Sequence, residues 1–505
     1  MDSWTRHLLQ QAAQFFDDNK TQAYLTGGSI RDILQAESCT DWDIVIAGDA
    51  PSLSRKLANK LDGYYAHMHA KASRITVKHN NQNIILDVSP IQGHSIEADL
   101  QQRDFTINAI AVPLADAVRS FIEGKPLPLI DPLHGAGDLE ARCLKAVNDT
   151  VFKQDPLRML RAIRFMARYN FTLDDHTKHM LRCDAAFLPN SATERIHAEL
   201  YAILEPDGAT DRLHFLDEYG LFTTLLPEFI PARGMAQPAL HHWDVLEHSI
   251  ETVGALERLA TTLHQTPQEI RRTLLDGGRG DLVEIQSLLH EAEQQNLFQY
   301  ATLTSPEMKM ASLLHDIGKT VTYAVSAEGK ITFYGHPQAG VPLVQTVVKR
   351  LSLSTQDRRF IQQVVANHMR PGQLSHDVVT QRAVRRYFVD LGPVGIQVAL
   401  VSLADHLAMR GPEPLIEAWE HHLATVRLLL TRYIREREVI LPPRLLQAEE
   451  LMRKLNLEQG PLVGQLLEYI AEAQADGMIS SKDDAFWFAQ DKLEQITASM
   501  STKHS

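Results

Sequence analysis

The stretch YLTGGSIRDILQAESCTDWDIVIAG, residues 24–48, decides the fold of the first part of this 505-residue chain. Residues 24–26 are apolar and β-prone, which predicts a short strand. Gly27 and Gly28 then predict a tight turn whose backbone can approach a ligand closely. Ser29 is a good N-cap for a helix over residues 30–34. A helix N-terminus with free N–H groups and a positive dipole end suits a phosphate group.

Two carboxylates follow this turn at a spacing that indicates a metal site. Asp41 and Asp43 border a predicted strand over residues 42–46, and residues i and i+2 of a strand share a face. Adjacent carboxylates repel each other unless a cation lies between them, and Arg31 adds a forked cation nearby. The pattern therefore predicts a divalent metal site beside a triphosphate site. Either feature alone is commonly a plain turn or a solvated strand end, whereas their combination is much more specific.

The order of a strand, GG-x-x-R-D, a short helix and a D-x-D strand resembles the head of the polymerase-β-type nucleotidyltransferases. In its particular form, GGSIRD followed by DWDIVIAG, it is similar to the class II tRNA nucleotidyltransferase and bacterial poly(A) polymerase family. The resemblance implies that Asp41 and Asp43 are catalytic and hold two Mg²⁺ ions. It also implies that Gly28, Arg31 and Arg103 cradle the triphosphate of ATP or CTP.

A second segment, DLQQRDFTINAIAV at residues 99–112, matches the family motif R-R-D-F-T-I-N-A, with Gln102 in place of the first Arg. Without the resemblance, Arg103 and Asp104 are only a polar entry to a buried element. With it, Arg103 contacts the nucleotide and Asp104 helps to hold its ribose. Asp87 ends another predicted strand, and we expect it to be a strand-end residue rather than a third metal ligand.

The connection from Val88 to Arg103, SPIQGHSIEADLQQ, looks short. Family members that add a complete CCA tail carry a flexible loop in this region. A shortened loop resembles the enzymes that add only CC and leave the last A to a separate A-adding enzyme. The sequence therefore raises the hypothesis of CC-only addition.

The segment QDPLRMLRAIRFMARY, residues 154–169, predicts a helix that begins at Asp155 as N-cap or first-turn acid. Four arginines recur every three or four residues and line one face of this helix. These are Arg158, Arg161, Arg164 and Arg168. A solvated basic stripe is the ordinary interpretation of such a pattern.

The same segment resembles the family motif E-D-P-x-R-x-L-R-A-x-R-F, in which an Asp and an Arg pair with the edge of the incoming base. Asp155 and Arg158 match those base-reading positions. Arg161 and Arg164 would serve the triphosphate or the helix stack. Gln154 replaces the family Glu, which leaves the orientation of Arg158, and so the strictness of base choice, open.

A second set of candidate ligands lies downstream. His315 and Asp316 are adjacent in LLHDIGK, with His248 before them and Asp405 after them on predicted helical segments. Imidazole nitrogens and carboxylate oxygens from separate helices suit a transition-metal ion. The pattern resembles the four ligands of the HD-superfamily phosphohydrolases. Two further residues, His336 and His368, match the extra ligands of its two-metal members.

Such an HD-type site polarises a phosphate and activates a water. The resemblance implies Ni, Mn, Co or Fe as the metal. It implies cyclic nucleotides, 2′,3′-cyclic phosphates or tRNA ends as substrates. Between the two halves, residues 261–305 are polar and acidic, which we interpret as an insertion or linker.

The resemblance covers nearly the whole chain and implies an α+β fold. A polymerase-β-type head, with a small mixed sheet and helices, is followed by all-α neck, HD and tail domains. We expect the catalytic head at residues 1–135 and the base-selecting, RNA-binding neck at 136–235. The HD-type domain is expected at 236–415 and a helical tail that contacts tRNA at 416–505.

Composition is that of an ordinary globular protein, and no apolar run is long enough to span a membrane. Three widely spaced cysteines indicate a reducing compartment rather than a disulfide framework, so we expect a cytoplasmic protein. The net charge of −13 is unusual for a nucleic-acid-binding protein. RNA contact is therefore expected on a local basic face. The oligomeric state stays open.

Together these patterns predict template-independent addition of CMP and AMP to the 3′ end of tRNA, with a second phosphohydrolase activity. The expected partners are the tRNA 3′ end and nucleoside triphosphates. A poly(A) polymerase shares these motifs and is an alternative. An alternative from another class is a metal-dependent phosphohydrolase whose head is a non-catalytic RNA-binding module.

Overall fold

The structure is a computed structural model that describes residues 2–69, 72–80, 82–375, 378–412 and 417–501. The chain divides into two compact units. One comprises Met1–Leu200 and Phe215–Leu225, and the other comprises Tyr201–His214 and Leu226–Ser505. The expected boundary between residues 415 and 416 lies outside the described residues.

The first unit contains a mixed sheet. Its strands are β1 Ala23–Thr26, β2 Asp41–Ile46, β3 Tyr64–His69, β4 Ala72–His79, β5 Gln82–Pro90 and β6 Ala111–Pro113. They lie in the order β3-β4-β5-β2-β1-β6. β2 and β5 pair in parallel, and the other neighbours pair antiparallel. The parallel register sets Asp43 opposite Asp87.

The alternation along β2 explains which face of the sheet carries the acids. Trp42, Ile44 and Ile46 are buried in the core of the head, which also contains Leu9 and Leu57 from two of the helices. Because successive strand residues point to opposite faces, burying these three side chains turns Asp41 and Asp43 to the other face. The hydrophobic core thereby sets the direction of both carboxylates.

Helices complete the head and neck. The α-helices are α1 Ser3–Asp18, α2 Gly28–Leu34, α3 Ala50–Lys60, α4 Ile96–Leu100, α5 Leu114–Glu123, α6 Gly135–Glu140, α7 Val151–Gln154, α8 Arg158–Tyr169, α9 Asp175–Asp184, α10 Thr193–Leu204, α11 Ala209–Glu218 and α12 Leu221–Leu225. Two-residue strands β7 Cys143–Leu144 and β8 Thr172–Leu173 pair in parallel. Short 3-10 turns occupy Thr106–Asn108 and Ala185–Asn190.

Two expected helix starts are wrong. The N-cap of α2 is Gly27, not Ser29, whose hydroxyl lies inside the helix and donates to the carbonyl of Thr26 at 2.8 Å. A positive φ of 64° at Gly27 lets the turn close two residues earlier than Ser29 allows. α8 begins at Arg158, and Asp155 instead ends α7 in an extended conformation.

The second unit is mostly helical. Its helices are α13 Val245–Leu263, α14 Pro267–Ile270, α15 Asp281–Gln294, α16 Pro306–Leu314, α17 Lys319–Thr322, α18 His336–Arg350, α19 Thr355–Asn367, α20 Met369–Leu374, α21 Gln381–Leu391, α22 Val394–Met409, α23 Glu417–Arg435, α24 Arg437–Ile440, α25 Ala448–Leu455, α26 Pro461–Ala475 and α27 Lys482–Ser501. A small hairpin pairs β9 Ala324–Val325 with β10 Ile331–Thr332, and 3-10 turns occupy Pro227–Ala232 and Tyr300–Thr304.

The interpretation of residues 261–305 as a linker is wrong for much of its length. Leu282, Ile285, Leu288 and Leu289 of α15 are fully buried, and α15 packs against α23 and α13. Their spacing of three and four residues gives the apolar stripe of a core helix. Within the described residues, no single helix has the length and hydropathy of a membrane span. The helices Gln381–Leu391 and Val394–Met409 reach that length and hydropathy only when they are counted together, and the chain bends by 108° between them.

Candidate functional site

The glycine turn after β1 lies directly against the acids of β2. The backbone N–H of Gly28 donates to Asp43 Oδ2 at 3.0 Å. A Cβ atom added to Gly27 would lie 3.0 Å from both Asp43 Oδ2 and an Arg103 guanidinium nitrogen. A larger residue is therefore excluded, because φ is positive there and the neighbouring side chains fill the space. The turn therefore lies directly against one carboxylate and one guanidinium.

The carboxylates themselves differ in environment. Asp41 is exposed at the start of β2, and Asp43 is half-buried. Burial raises the pKa of Asp43 and the nearby Asp87 raises it further, while Arg103 opposes the shift. Asp87 is engaged by Arg74 through two hydrogen bonds of 2.8 Å. Oxygen donors on one strand face, one of them in an environment that disfavours its charge, fit a hard divalent cation such as Mg²⁺.

Arg31 lies at the joint between the head and α8. Its guanidinium donates to Asn108 Oδ1 at 2.7 Å and to Asp32 Oδ1 at 2.7 Å. The same group stacks 4.5 Å from the ring centroid of Tyr169 in α8. Its side chain is only 7% exposed. Arg31 therefore fixes the helix behind the glycine turn to the neck.

Asp104 is the buried partner of an ion pair with the partly exposed Arg161. One of its oxygens accepts from Phe105 N–H and the Asn108 amide, at 2.8 and 3.0 Å. The other accepts two hydrogen bonds from Arg161, at 2.9 and 2.7 Å. Burial by itself would raise the pKa of Asp104, but Arg161 and these hydrogen bonds hold it below its usual value. The carboxylate thus joins the segment after Arg103 to α8.

The neck arginines are divided between the helix stack and the head. Arg164 pairs with Glu199 of α10 at 2.7 Å, and Arg161 approaches the same carboxylate at 3.8 Å. Arg158 donates to the carbonyl oxygens of residues 102 and 103 at 2.8 and 3.2 Å. Arg164 therefore makes the helix-stack contact, Arg161 is hydrogen-bonded mainly to Asp104 of the head, and Arg158 lies against the segment that carries Arg103.

The remaining predicted neck residues have local partners. Asp155 accepts from Arg195 at 2.9 Å. Gln154 donates to the hydroxyl of Thr150 within its own short helix at 2.9 Å. Arg103 itself pairs with Asp99 one helical turn before it, at 2.9 Å. These contacts hold the proposed nucleotide-contacting groups on a scaffold that belongs wholly to the first unit.

In the second unit, the residues predicted for the HD-type centre lie close to one another. His248 Nε2 lies 3.0 Å from Asp405 Oδ1, and His315 Nε2 lies 3.2 Å from Asp316 Oδ2. The remaining two, His336 and His368, approach the other oxygen of Asp316 at 3.1 and 3.5 Å. The ligand atoms form two groups that share Asp316, each with members within 4.8 Å of one another. This arrangement fits two ions bridged by one carboxylate.

Backbone carbonyls orient three of these imidazoles. The Nδ1 atoms of His315, His336 and His368 lie 2.7, 2.9 and 2.9 Å from the carbonyl oxygens of residues 312, 333 and 365. A donated Nδ1–H leaves each Nε2 free to bind a metal. Buried His248 Nδ1 has no hydrogen-bond partner among the described residues. This donor set also fits a divalent transition metal.

The protonation states of the carboxylates in the HD-type centre favour binding of a cation. Burial by itself would raise the pKa values of Asp316 and Asp405, but both are held well below the usual range. Lys319 and His315 lower the pKa of Asp316, and His315 and His248 lower that of Asp405. Burial lowers the pKa of His315, but the two carboxylates overcome that effect and raise it to about 10. Ionised carboxylates are therefore maintained at neutral pH. The centre opens into a cavity of about 710 Å³ that Lys319 and Arg370 also line.

Several residues of both sites were missed from the sequence. Asp99 lies four residues before Arg103, a helical ion-pair spacing that would have predicted the contact. Lys319 follows Asp316 by one helical turn and lies 2.5 Å from its Oδ2. Glu199, Asn108 and Tyr169 act across long sequence separations, for which no local pattern gives a signal.

The amino-acid sequence matches three protein families over successive parts of the chain. The poly A polymerase head domain matches residues 23–145. The probable RNA- and SrmB-binding site of polymerase A matches residues 170–233, and the HD domain matches residues 245–410. The three matches follow one another along the chain in the order of the head, neck and HD-type regions.

Curated relatives match over nearly their whole length. An A-adding tRNA nucleotidyltransferase of Deinococcus radiodurans is 31% identical over 94% of this chain and 97% of its own. A CC-adding tRNA nucleotidyltransferase of Thermus thermophilus is 28% identical over 92% of both chains. Among solved structures, a CCA-adding enzyme in complex with CTP shares the fold with a TM-score of 0.64 at 19% identity, covering 99% of this chain and 96% of that one. The chain belongs to the tRNA nucleotidyltransferase family.

Proposed function

We propose that the chain transfers CMP or AMP from CTP or ATP to the 3′ end of tRNA without a template. One observation carries this proposal: the Gly28 N–H and the Asp43 carboxylate meet at 3.0 Å, so a phosphate-binding turn adjoins a pair of acids. Relatives named as A-adding and CC-adding enzymes over almost the full length support the same activity.

The residues of the head have separate tasks in this reaction. Asp41 and Asp43 would hold Mg²⁺, and the N–H groups of the glycine turn would donate hydrogen bonds to triphosphate oxygens. Arg103 neutralises charge on the leaving side. When bound, Mg²⁺ lowers the pKa of the RNA 3′-hydroxyl and stabilises charge on the phosphates. Arg31, held by Asn108 and Tyr169, keeps α2 and its turn fixed.

Base selection is assigned to the start of α8. We propose that Asp155 and Arg158 pair with the edge of the incoming base. A rejected base then leaves buried polar groups unpaired. Arg195 and the carbonyls of residues 102 and 103 orient these two side chains. Asp104 acts through Arg161 and sets the distance between the Arg103 segment and α8.

The finer proposal concerns which nucleotides are added. β5 ends at Pro90, and α4 occupies residues 96–100 of the connection to Arg103, so little of it is free loop. This short connection supports addition of CC without the terminal A. A separate A-adding enzyme would complete the tail.

The test is sequencing of the 3′ ends made on tRNA transcripts that end at the discriminator base, after C, and after CC. With CTP and ATP together, the first two substrates should end in CC and the third should stay unchanged. Addition of A to the third substrate would overturn the CC-only proposal. Long A tails would identify a poly(A) polymerase, and no extension of any substrate would overturn the nucleotidyl-transfer proposal.

We propose a second activity, metal-dependent hydrolysis of a phosphate ester, at the HD-type centre. The six converging ligands and the adjacent Lys319 support it. The protein residues hold the metal and orient the phosphate, and a bound transition metal supplies an activated water. Conversion of 2′,3′-cyclic nucleotides to nucleoside monophosphates, in the presence of Ni²⁺, Mn²⁺ or Co²⁺, is the direct assay.

We also propose that these activities follow the expected division of the chain. The head and neck, residues 1–135 and 136–235, would carry nucleotide addition. Residues 236–415 would carry hydrolysis, and the tail from 416 would contact the tRNA. Separate expression of these segments and tRNA-binding assays on each would test the division.

A further inference from the structure

A third cluster of metal-ligating side chains lies in the second unit, outside the HD-type centre. His214 belongs to α11, and Glu247 and Glu251 lie one turn apart on α13. One ligand atom from each residue lies within 4.8 Å of the other two. One imidazole and two carboxylates from two helices form a donor set that suits zinc-like divalent ions.

The distances within this cluster match a bound ion better than direct contact. His214 Nε2 lies 3.5 Å from Glu247 Oε1 and 3.6 Å from Glu251 Oε1. A charge-assisted N–H···O bond is shorter, about 2.7–2.9 Å. Ligand atoms that each lie about 2.1 Å from a tetrahedral ion are roughly 3.4 Å apart. The imidazole nitrogen is thus almost equidistant from two carboxylates, at the spacing that such an ion requires.

Exposure and charge also favour a cation at this position. The three side chains are 37%, 33% and 20% exposed, so an ion can enter and keep water as a further ligand. Glutamates at i and i+4 of a helix repel each other, and a cation between them removes that repulsion. Arg258 approaches Glu251 only at its other oxygen, Oε2, at 3.9 Å.

We propose that His214, Glu247 and Glu251 bind a divalent ion of the zinc class. The ion links α11 to the first two turns of α13. His248, a ligand of the HD-type centre, directly follows Glu247 in this helix, so the linked segment is the one that positions His248. The proposal does not depend on either proposed enzymatic activity.

The experiment measures zinc bound by the full-length chain after chelation and titration with ZnCl₂. His214→Ala and Glu251→Gln should each bind one equivalent fewer than the wild type. His176→Ala is the matched control, because His176 is exposed and faces a single carboxylate, Asp149, at 2.8 Å. It should bind as many equivalents as the wild type. Equal zinc stoichiometry in the wild type and in both cluster variants, each folded by circular dichroism, would overturn the proposal.

A second measurement covers the case in which His214→Ala does not fold. Glu251→Gln keeps the side-chain shape and removes one charge. The rise in melting temperature on adding ZnCl₂ should be smaller in this variant than in the wild type and in His176→Ala, because ligand binding to the native state stabilises it. An equal rise in all three proteins would contradict the site.

Discussion

The head and the HD-type centre are two candidate metal sites built in opposite ways. In the head, Asp41 and Asp43 stand on one strand, Asp41 is exposed, and Asp87 is engaged by Arg74. In the second unit, six ligands from several helices converge, and all but Asp405 are buried. Mg²⁺ is commonly held by one or two carboxylates together with substrate phosphates, whereas a His-rich set binds a transition metal by itself.

From this difference we infer that the first site would be completed by its substrate, whereas the second would be supplied by the protein alone. β2 presents two acids beside the glycine turn, and a bound triphosphate would add further oxygen ligands. The HD-type histidines are already oriented by backbone carbonyls. The first three predictions below test whether the two sites are independent and differ in this way, and the last two concern stability.

The largest effect is expected from Asp41→Ala combined with Asp43→Ala. Nucleotide addition should fall by about 10³-fold or more, because the ions that stabilise the transition state lose their protein ligands. Phosphate-ester hydrolysis should be unchanged. Incorporation of labelled CTP into tRNA measures the first activity. Asp18→Ala, which removes an exposed acid, should leave both activities intact, and residual addition near the wild-type rate would contradict the assignment.

The reciprocal variant is His315→Ala. Loss of a metal ligand should reduce hydrolysis by about 10²-fold or more while CTP incorporation continues at the wild-type rate. Bound metal, measured after desalting, should fall in parallel. The idea of two independent sites fails if this variant also loses nucleotide addition although its circular dichroism spectrum is unchanged.

Metal removal should abolish the two activities at different rates. Brief exposure to EDTA should stop nucleotide addition at once, and excess Mg²⁺ should restore it fully, because these ions arrive with the triphosphate. Hydrolysis should decline more slowly and require a transition metal for recovery, because its ligands are buried and preformed. Simultaneous loss and recovery of both activities with Mg²⁺ alone would remove the distinction.

The ion pair between Asp104 and Arg161 should contribute mainly to stability. Asp104→Asn removes the buried carboxylate that accepts both hydrogen bonds from the partly exposed Arg161, which should lower the free energy of unfolding by about 2 kcal/mol. Urea denaturation measures this change. Arg161→Lys retains the charge and loses the two-pronged contact, so it should cost less. An equal loss in both variants would indicate that the charge does not matter.

The smallest effect is expected on the stability of the Asp43→Asn variant, which should be more stable than the wild type rather than less. Burial raises the pKa of Asp43 above its ordinary value of 3.8, so the folded state disfavours the carboxylate. A group with a raised folded pKa stabilises the protein at low pH, and this contribution is lost as pH rises through the folded pKa. The asparagine variant should therefore melt higher than the wild type at neutral pH without Mg²⁺. The advantage should vanish below pH 3.8, and a lower melting point at neutral pH would contradict the argument.

Much of the fold was predictable because local patterns determine it. The alternation of apolar residues around Asp41 and Asp43 was enough to predict the strand and its polar face. The histidines were predicted on helical segments, and the structure places them close together. The contact between Arg31 and Tyr169 was not predicted, because Tyr169 lies far along the chain and only the folded neck brings the two residues together. The same holds for Arg164 and Glu199. The helix starts predicted at Ser29 and Asp155 failed because Gly27 adopts a positive φ and caps α2 itself, and because the chain breaks between Asp155 and α8.

A crystal structure of the chain with Mg²⁺ and a non-hydrolysable CTP analogue tests the central claim most directly. The account predicts metal ions between the triphosphate and the carboxylates of Asp41 and Asp43, with the phosphates over the N–H groups of the Gly27–Gly28 turn. A triphosphate bound elsewhere, or bound at the turn with both carboxylates directed away and no ion between, would contradict it.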